Sequence, residues 1–390
     1  MVSADGIAYS LCGVEVDVDV NCFGDTAVSN EEARRRLAVS QVVASRRLRL
    51  FNVDWDDALG RGEEARNDSQ VVVLHFSRVV TVGKDMSMKI WDADTGQLLQ
   101  TFLPFEDSVE SWCVFCPPGG RHFVTASEAT VCVWSLDTFD CEFKFVEPLG
   151  IVSTVILSCD GSRLATVCED PEFLSDTVRV WDDDRTMSVW DEVGEVSDMC
   201  FSPDAKRLAT VSSFNMAQVW CTKSGSREYL FPPGRVAAYE TADGHGLCTR
   251  VCFSPNGQRL ATTAPNWKVL LWSLETGACE ITLAGHEDHI SAVCFSFDGR
   301  RVATGSDDGS AKIWSAELGV CKLTIKGDHG YGSNVHPGGV CAVGFSRDGG
   351  RLVTGAESGR ASVWNASTGL VDVANVGHDG CVEFATFNEH

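Results

Sequence analysis

The sequence predicts an all-β fold, a single β-propeller of four-stranded antiparallel blades. Three observations carry this reading. Short apolar strands ending in tryptophan recur at Trp91, Trp134, Trp181, Trp220, Trp272, Trp314 and Trp364. Their spacing, about 40–50 residues, belongs to a radial repeat rather than to separate domains. Between the tryptophans, apolar residues alternate with period 2, as strands require, and not with the 3.6-residue period of helices. The one helix-like stretch is SNEEARRRL at 29–37, with Ser29 and Asn30 as candidate caps.

Each unit reads as four strands in a fixed order. SAVCFS exemplifies the first strand. A tight turn follows: PDA at 203–205, PNG at 255–257, FDG at 297–299, RDG at 347–349. Asp-Gly and Asn-Gly favour such turns because both residues tolerate positive φ. The second strand reads RLATV, RLATT, RVATG or RLVTG. A polar turn leads into the Trp strand, and a stretch such as TGQLLQTF or TGACEITL supplies the fourth. Four strands per period is the pattern of a propeller blade.

The blade count turns on the two ends of the chain. LRLFNVD places Phe51 where later units have Trp, so residues 1–55 read as a degenerate first blade or as an appendage. Residues 56–375 hold seven well-formed units. Residues 376–390, with GHDGCVEFATF, read as a closing strand or as a truncated ninth unit. Eight blades are favoured narrowly over seven.

Composition bounds the function. The chain has 390 residues and a formal net charge of −23. An acidic surface repels phosphate backbones and anionic lipid heads, so nucleic acid and membrane are not expected as partners, and basic proteins or peptides are. No apolar run is long enough for a membrane helix, and the N-terminus lacks the basic-then-apolar order of a signal peptide. Cys200, Cys252 and Cys294 each precede Phe inside apolar strands, where a thiol acts as a small hydrophobe. The expected setting is a reducing one, cytoplasmic or nuclear, with no metal and no cofactor.

Taken together, the seven Trp-ended strands resemble the WD-repeat β-propeller family across nearly the whole chain. The resemblance implies a buried hydrogen-bonded tetrad of His, Ser/Thr, Asp and Trp in each complete blade. His286, Thr304, Asp308 and Trp314 match those places. Thr81, Asp85 and Trp91 repeat the spacing without an obvious His. Thr262, Asn266 and Trp272 repeat it with His245 upstream and an amide for the acid. The resemblance gives these residues structural rather than catalytic roles.

Departures from the repeat point to a surface, since local rules tend to fail at functional sites. Phe214 stands where the turn Asp is expected, and TASEATVCVW is one residue short. The insertion CEDPEFLSDT presents Phe173 with Glu169, Asp170 and Glu172, and Trp267 follows Asn266. In a propeller these turns share one face with the connections between blades, which add Tyr239, Tyr331 and His336. Aromatic anchors among carboxylates suit capture of a basic partner. No nucleophile elbow or phosphate-binding loop occurs. The expected function is therefore a non-enzymatic protein-interaction scaffold. The alternatives are a regulatory or sensor module of a larger protein, and a hydrolase or lyase with its site at the channel.

Overall fold

Alternating Val, Ala, Leu and Thr residues bury both faces of the inner strands, and the alternation produces sheets. In the computed structural model these are seven four-stranded antiparallel sheets and one three-stranded sheet. The structure describes residues 2–3, 6–11, 14–19, 77–103, 112–117, 120–147, 150–168, 176–182, 187–190, 196–212, 216–231, 249–326 and 338–389. The chain divides into two units, Met1–Phe76 with His390, and Ser77–Glu389. In the first, strands Val2–Ser3, Gly6–Leu11 and Val14–Asp19 pair antiparallel in order. The helix-like stretch at 29–37 and the Phe51 strand lie outside the described residues.

The second unit is a propeller of seven blades. Blade 1 takes its second, third and fourth strands from Ser77–Gly83, Met88–Asp92 and Leu98–Phe102. Its first strand is Val382–Glu389, paired antiparallel with Ser77–Gly83 from Val382↔Gly83 to Glu389↔Ser77. Blades 2 to 7 follow in chain order over residues 112–146, 152–190, 196–231, 251–284, 290–326 and 340–377.

Seven apolar clusters join the blades. Each is shared by two neighbours, for example Leu271 and Leu283 of blade 5 with Val302 and Trp314 of blade 6. The last joins Val353 and Val363 of blade 7 to Val79, Trp91, Val382 and Phe387 of blade 1. The narrow preference for eight blades is thereby corrected to seven. Blades 7 and 1 pack directly on each other, and the C-terminal strand fills the first-strand position of blade 1, so an eighth blade has no place between them.

Turn chemistry fixes the register. Between first and second strands of blades 3 to 7, a serine hydroxyl donates to an acid or amide two residues on and accepts a backbone N–H five residues on. In blade 6 these are Ser296 Oγ to Asp298 at 2.5 Å and Arg301 N to Ser296 Oγ at 3.0 Å. Gly299 holds φ +68° in this turn, and Ala205 adopts φ +54° at the matching place in blade 4.

Candidate functional site

Strand direction decides what shares a face. The start of each first strand, the turn between second and third strands and the end of the fourth strand lie at one end of the blade. That end carries the tetrad side chains below and the turn residues above.

In blade 6 the indole N–H of Trp314 donates to Thr304 Oγ1 at 2.9 Å. Thr304 Oγ1 is 2.7 Å from His286 Nε2, and His286 Nδ1 is 2.7 Å from Asp308 Oδ2. With the hydroxyl oxygen taken up by the indole, the hydroxyl proton serves Nε2 and the ring donates Nδ1–H to the carboxylate. Asp308 also accepts from the Ser310 hydroxyl at 2.6 Å and the Glu287 backbone N–H at 3.1 Å. Burial works to raise the Asp308 carboxyl, but these hydrogen bonds outweigh it and hold it well below the usual carboxylate range.

Blade 1 holds the same network, with its histidine supplied from the other end of the propeller chain. Trp91 donates to Thr81 Oγ1 at 2.8 Å. His378 Nε2 stands 2.8 Å from Thr81 Oγ1, across 297 residues of sequence, and His378 Nδ1 stands 2.9 Å from Asp85. A Cβ on Gly83 would lie 2.5 Å from the His378 ring, so only glycine admits the imidazole. Sequence spacing missed His378 because it lies just ahead of the closing strand, and only the circular arrangement brings it beside Thr81.

Elsewhere the network is trimmed or rebuilt. Trp134, Trp220, Trp272 and Trp364 donate to Thr125, Thr210, Thr262 and Thr354 at 2.8–2.9 Å. In blade 3 the buried Glu147 accepts from Thr166 Oγ1 at 3.1 Å and is ion-paired with Arg179. Glu147 lies 19 residues before Thr166, close to the 18 that separate His286 from Thr304. A carboxylate–guanidinium pair thus replaces the histidine–aspartate pair, an exchange that a search for His and Asp cannot find.

The blade 1 network carries a pH dependence. Burial pushes the His378 ring below its ordinary value, against the opposing pull of Asp85, while nearby Lys89 reinforces the shift and Asp379 opposes it. A depressed folded-state value means that stability is full above the unfolded-state value and falls as the ring is forced to protonate. For His378 the loss begins below about pH 6.5. For Asp85, also held low, it begins only below about pH 4. The thermal midpoint should fall between pH 7 and pH 5, and His378→Gln should remove most of that decline. Parallel profiles for wild type and variant in a calorimetric titration would contradict this.

At the first strands, Asp198 accepts the Val251 N–H at 2.8 Å, and Arg250 Nε donates to the Ser291 carbonyl at 2.6 Å. Burial raises the Asp198 carboxyl against the pull of Arg250. Both side chains bond to the backbone of the next blade's first strand. Cys113 and Cys116 form a Cys-x-x-Cys pair, but burial pushes both thiols up to about 12, away from the thiolate that metal binding needs. Among the described residues no group of His, Cys, Asp and Glu is arranged to hold a metal ion.

Of the residues assigned to a partner surface, Trp267 is described. It is 40% exposed at the tip of the blade 5 turn, and it and Asn266 hold φ of +58° and +62°. A bulky side chain in the left-handed region costs about 1–2 kcal/mol. Exposed Glu287, Asp288 and Glu357 lie at the corresponding end of blades 6 and 7. His245, Phe173, Phe214, Tyr239, Tyr331, His336, Glu169, Asp170 and Glu172 lie outside the described residues.

A family model described as "WD domain, G-beta repeat" matches residues 96–135, 238–273, 277–315 and 331–365. The chain is similar to a WD repeat-containing protein 26 homolog of Arabidopsis thaliana, 23% identical over 54% of this chain and 34% of that protein. It is similar to protein HIR1 of Cryptococcus neoformans, 25% identical over 62% of this chain and 31% of that protein. With human apoptotic protease-activating factor 1 it shares 28% identity over 38% of this chain and 12% of that protein. The chain thus spans about a third or less of these curated relatives.

Proposed function

We propose that this chain, a WD-repeat β-propeller, is a non-enzymatic scaffold that captures basic peptides or domains on the end of the blades that carries Trp267. Propellers of this family are typical protein-interaction scaffolds, while a fold by itself leaves the partner open. The observation that carries the reading is Trp267, an exposed indole held in a left-handed turn. Strained backbone persists where the surroundings enforce it, and such positions cluster at binding surfaces. The carboxylates at the same end of the neighbouring blades supply complementary charge, and the tetrad histidines and aspartates beneath them are occupied in internal hydrogen bonds.

The test is titration of the chain with Lys/Arg-rich peptides at low and moderate salt. Binding should weaken with salt, as surface charge pairs do. Glu287→Lys with Asp288→Lys should lower affinity by about tenfold, and Trp267→Ala should cost about 1–2 kcal/mol, the loss expected of an aromatic anchor. Equal binding by wild type and both variants, with unchanged thermal midpoints, would overturn the reading. A second reading, a regulatory module within a longer protein, is favoured by the greater length of the relatives.

A further inference from the structure

We propose that Cys341 and Cys381 form a reversible oxidation site that staples the propeller at its seam. Cys341 is the second residue of blade 7's first strand, Val340–Phe345. Cys381 immediately precedes the closing strand Val382–Glu389 of blade 1. Their sulfurs are 3.2 Å apart, joining residues separated by 40 positions. Both thiols are half-buried and unlinked.

The repeat shows that this is a built position. With first strands aligned on Phe253, Phe295, Phe345 and Phe387, Cys341 takes the place of Thr249, and Cys381 takes the place of His289. Between blades 5 and 6, Thr249 Oγ1 stands 3.2 Å from His289 Nε2. The heads of neighbouring first strands therefore meet side chain to side chain. At the seam the two meeting groups are thiols, and there the propeller is closed by a strand from the far end of the sequence.

The two sulfurs differ in character. Half-buried Cys113 and buried Cys116 have thiols raised by loss of solvent. Cys381 moves the other way. Its hydrogen-bond contact with the Cys341 sulfur favours its thiolate and nearby Lys84 adds to this, while burial and the carboxylates of Glu383 and Glu357 oppose. The Lys84 backbone N–H also donates to the Cys381 carbonyl at 2.8 Å, which keeps the lysine beside it. Cys381 is thus the attacking group and Cys341 the resolving one.

With a peroxide as oxidant, the Cys381 thiolate attacks one peroxide oxygen and the O–O bond breaks. This leaves Cys381 as sulfenic acid and releases hydroxide, which takes a proton to become water. The Cys341 sulfur then attacks the sulfenic sulfur. The S–S bond forms, the S–O bond breaks, and hydroxide leaves with the Cys341 proton as a second water. The two thiols lose two electrons and the peroxide gains them. A thiol reductant reverses the bond.

The full chain is treated with hydrogen peroxide, alkylated and mapped by mass spectrometry. Wild type should yield a Cys341–Cys381 linked peptide, lost on reduction, and a thermal midpoint raised by about 5 °C, as expected for a cross-link closing a loop of this size. Cys341→Ser should show neither, and its Cys381 should stop as a sulfenic acid trapped by dimedone. Cys381→Ser should show neither the link nor the trapped acid. The proposal is overturned if Cys381 of treated wild type is unlinked or joined to another cysteine. An equal rise in midpoint in Cys341→Ser would also overturn it.

Discussion

Removing residues 378–390 abolishes the stable propeller: this is the largest effect expected of any change to the chain. The deleted segment buries Val382, Ala385 and Phe387 in the cluster between blades 7 and 1. Loss of that burial alone costs about 5 kcal/mol, against a total stability of about 5–15 kcal/mol for a typical protein. The deletion also strips the backbone partners from Ser77–Gly83 and removes the histidine of the blade 1 network. An unpaired strand edge seeks another chain. Circular dichroism and size-exclusion chromatography should show lost cooperativity and soluble aggregates. A monomer with an unchanged melting curve would show that the closing strand is dispensable.

Glu147→Gln is expected to cost about 3–5 kcal/mol, the penalty for leaving a buried charge without its partner. Arg179 is 5% exposed and Glu147 is 2% exposed. The Arg179 Nε already has no hydrogen-bond partner among the described residues, so the guanidinium depends heavily on the carboxylate. Replacing both, as Glu147→Leu with Arg179→Met, should return most of the loss, because apolar groups of similar size remove the demand for charge compensation. Urea denaturation of the two variants separates these outcomes. A single variant that loses less than about 1 kcal/mol would mean that water reaches the pair.

Much of this architecture is legible in sequence because its units are local. A Trp-ended strand and a Thr ten residues earlier belong to one hairpin, so Trp314 and Thr304 could be placed without knowing where any other blade stood. Two features were hidden for opposite reasons. His378 carries the expected residue type, but its partner Thr81 is reached only through the closed circle. Glu147 is near its partner in sequence, yet carries a different chemistry from the histidine it replaces. The blade count went one too high at the other end of the chain, where LRLFNVD offers Phe51 as an eighth Trp-type place; the direct packing of blades 7 and 1 and the pairing of the closing strand with Ser77–Gly83 leave seven.

That pairing has a mechanical consequence. Glu389 lies opposite Ser77 at one end of the ladder, and Val382 lies opposite Gly83 at the other. Tension that draws residues 77 and 389 apart would load the rungs one after another from the Glu389 end, as a zip is opened. It would not shear them all at once. The propeller would therefore open at its seam under a smaller force applied at those two points than one that had to break the whole ladder at once.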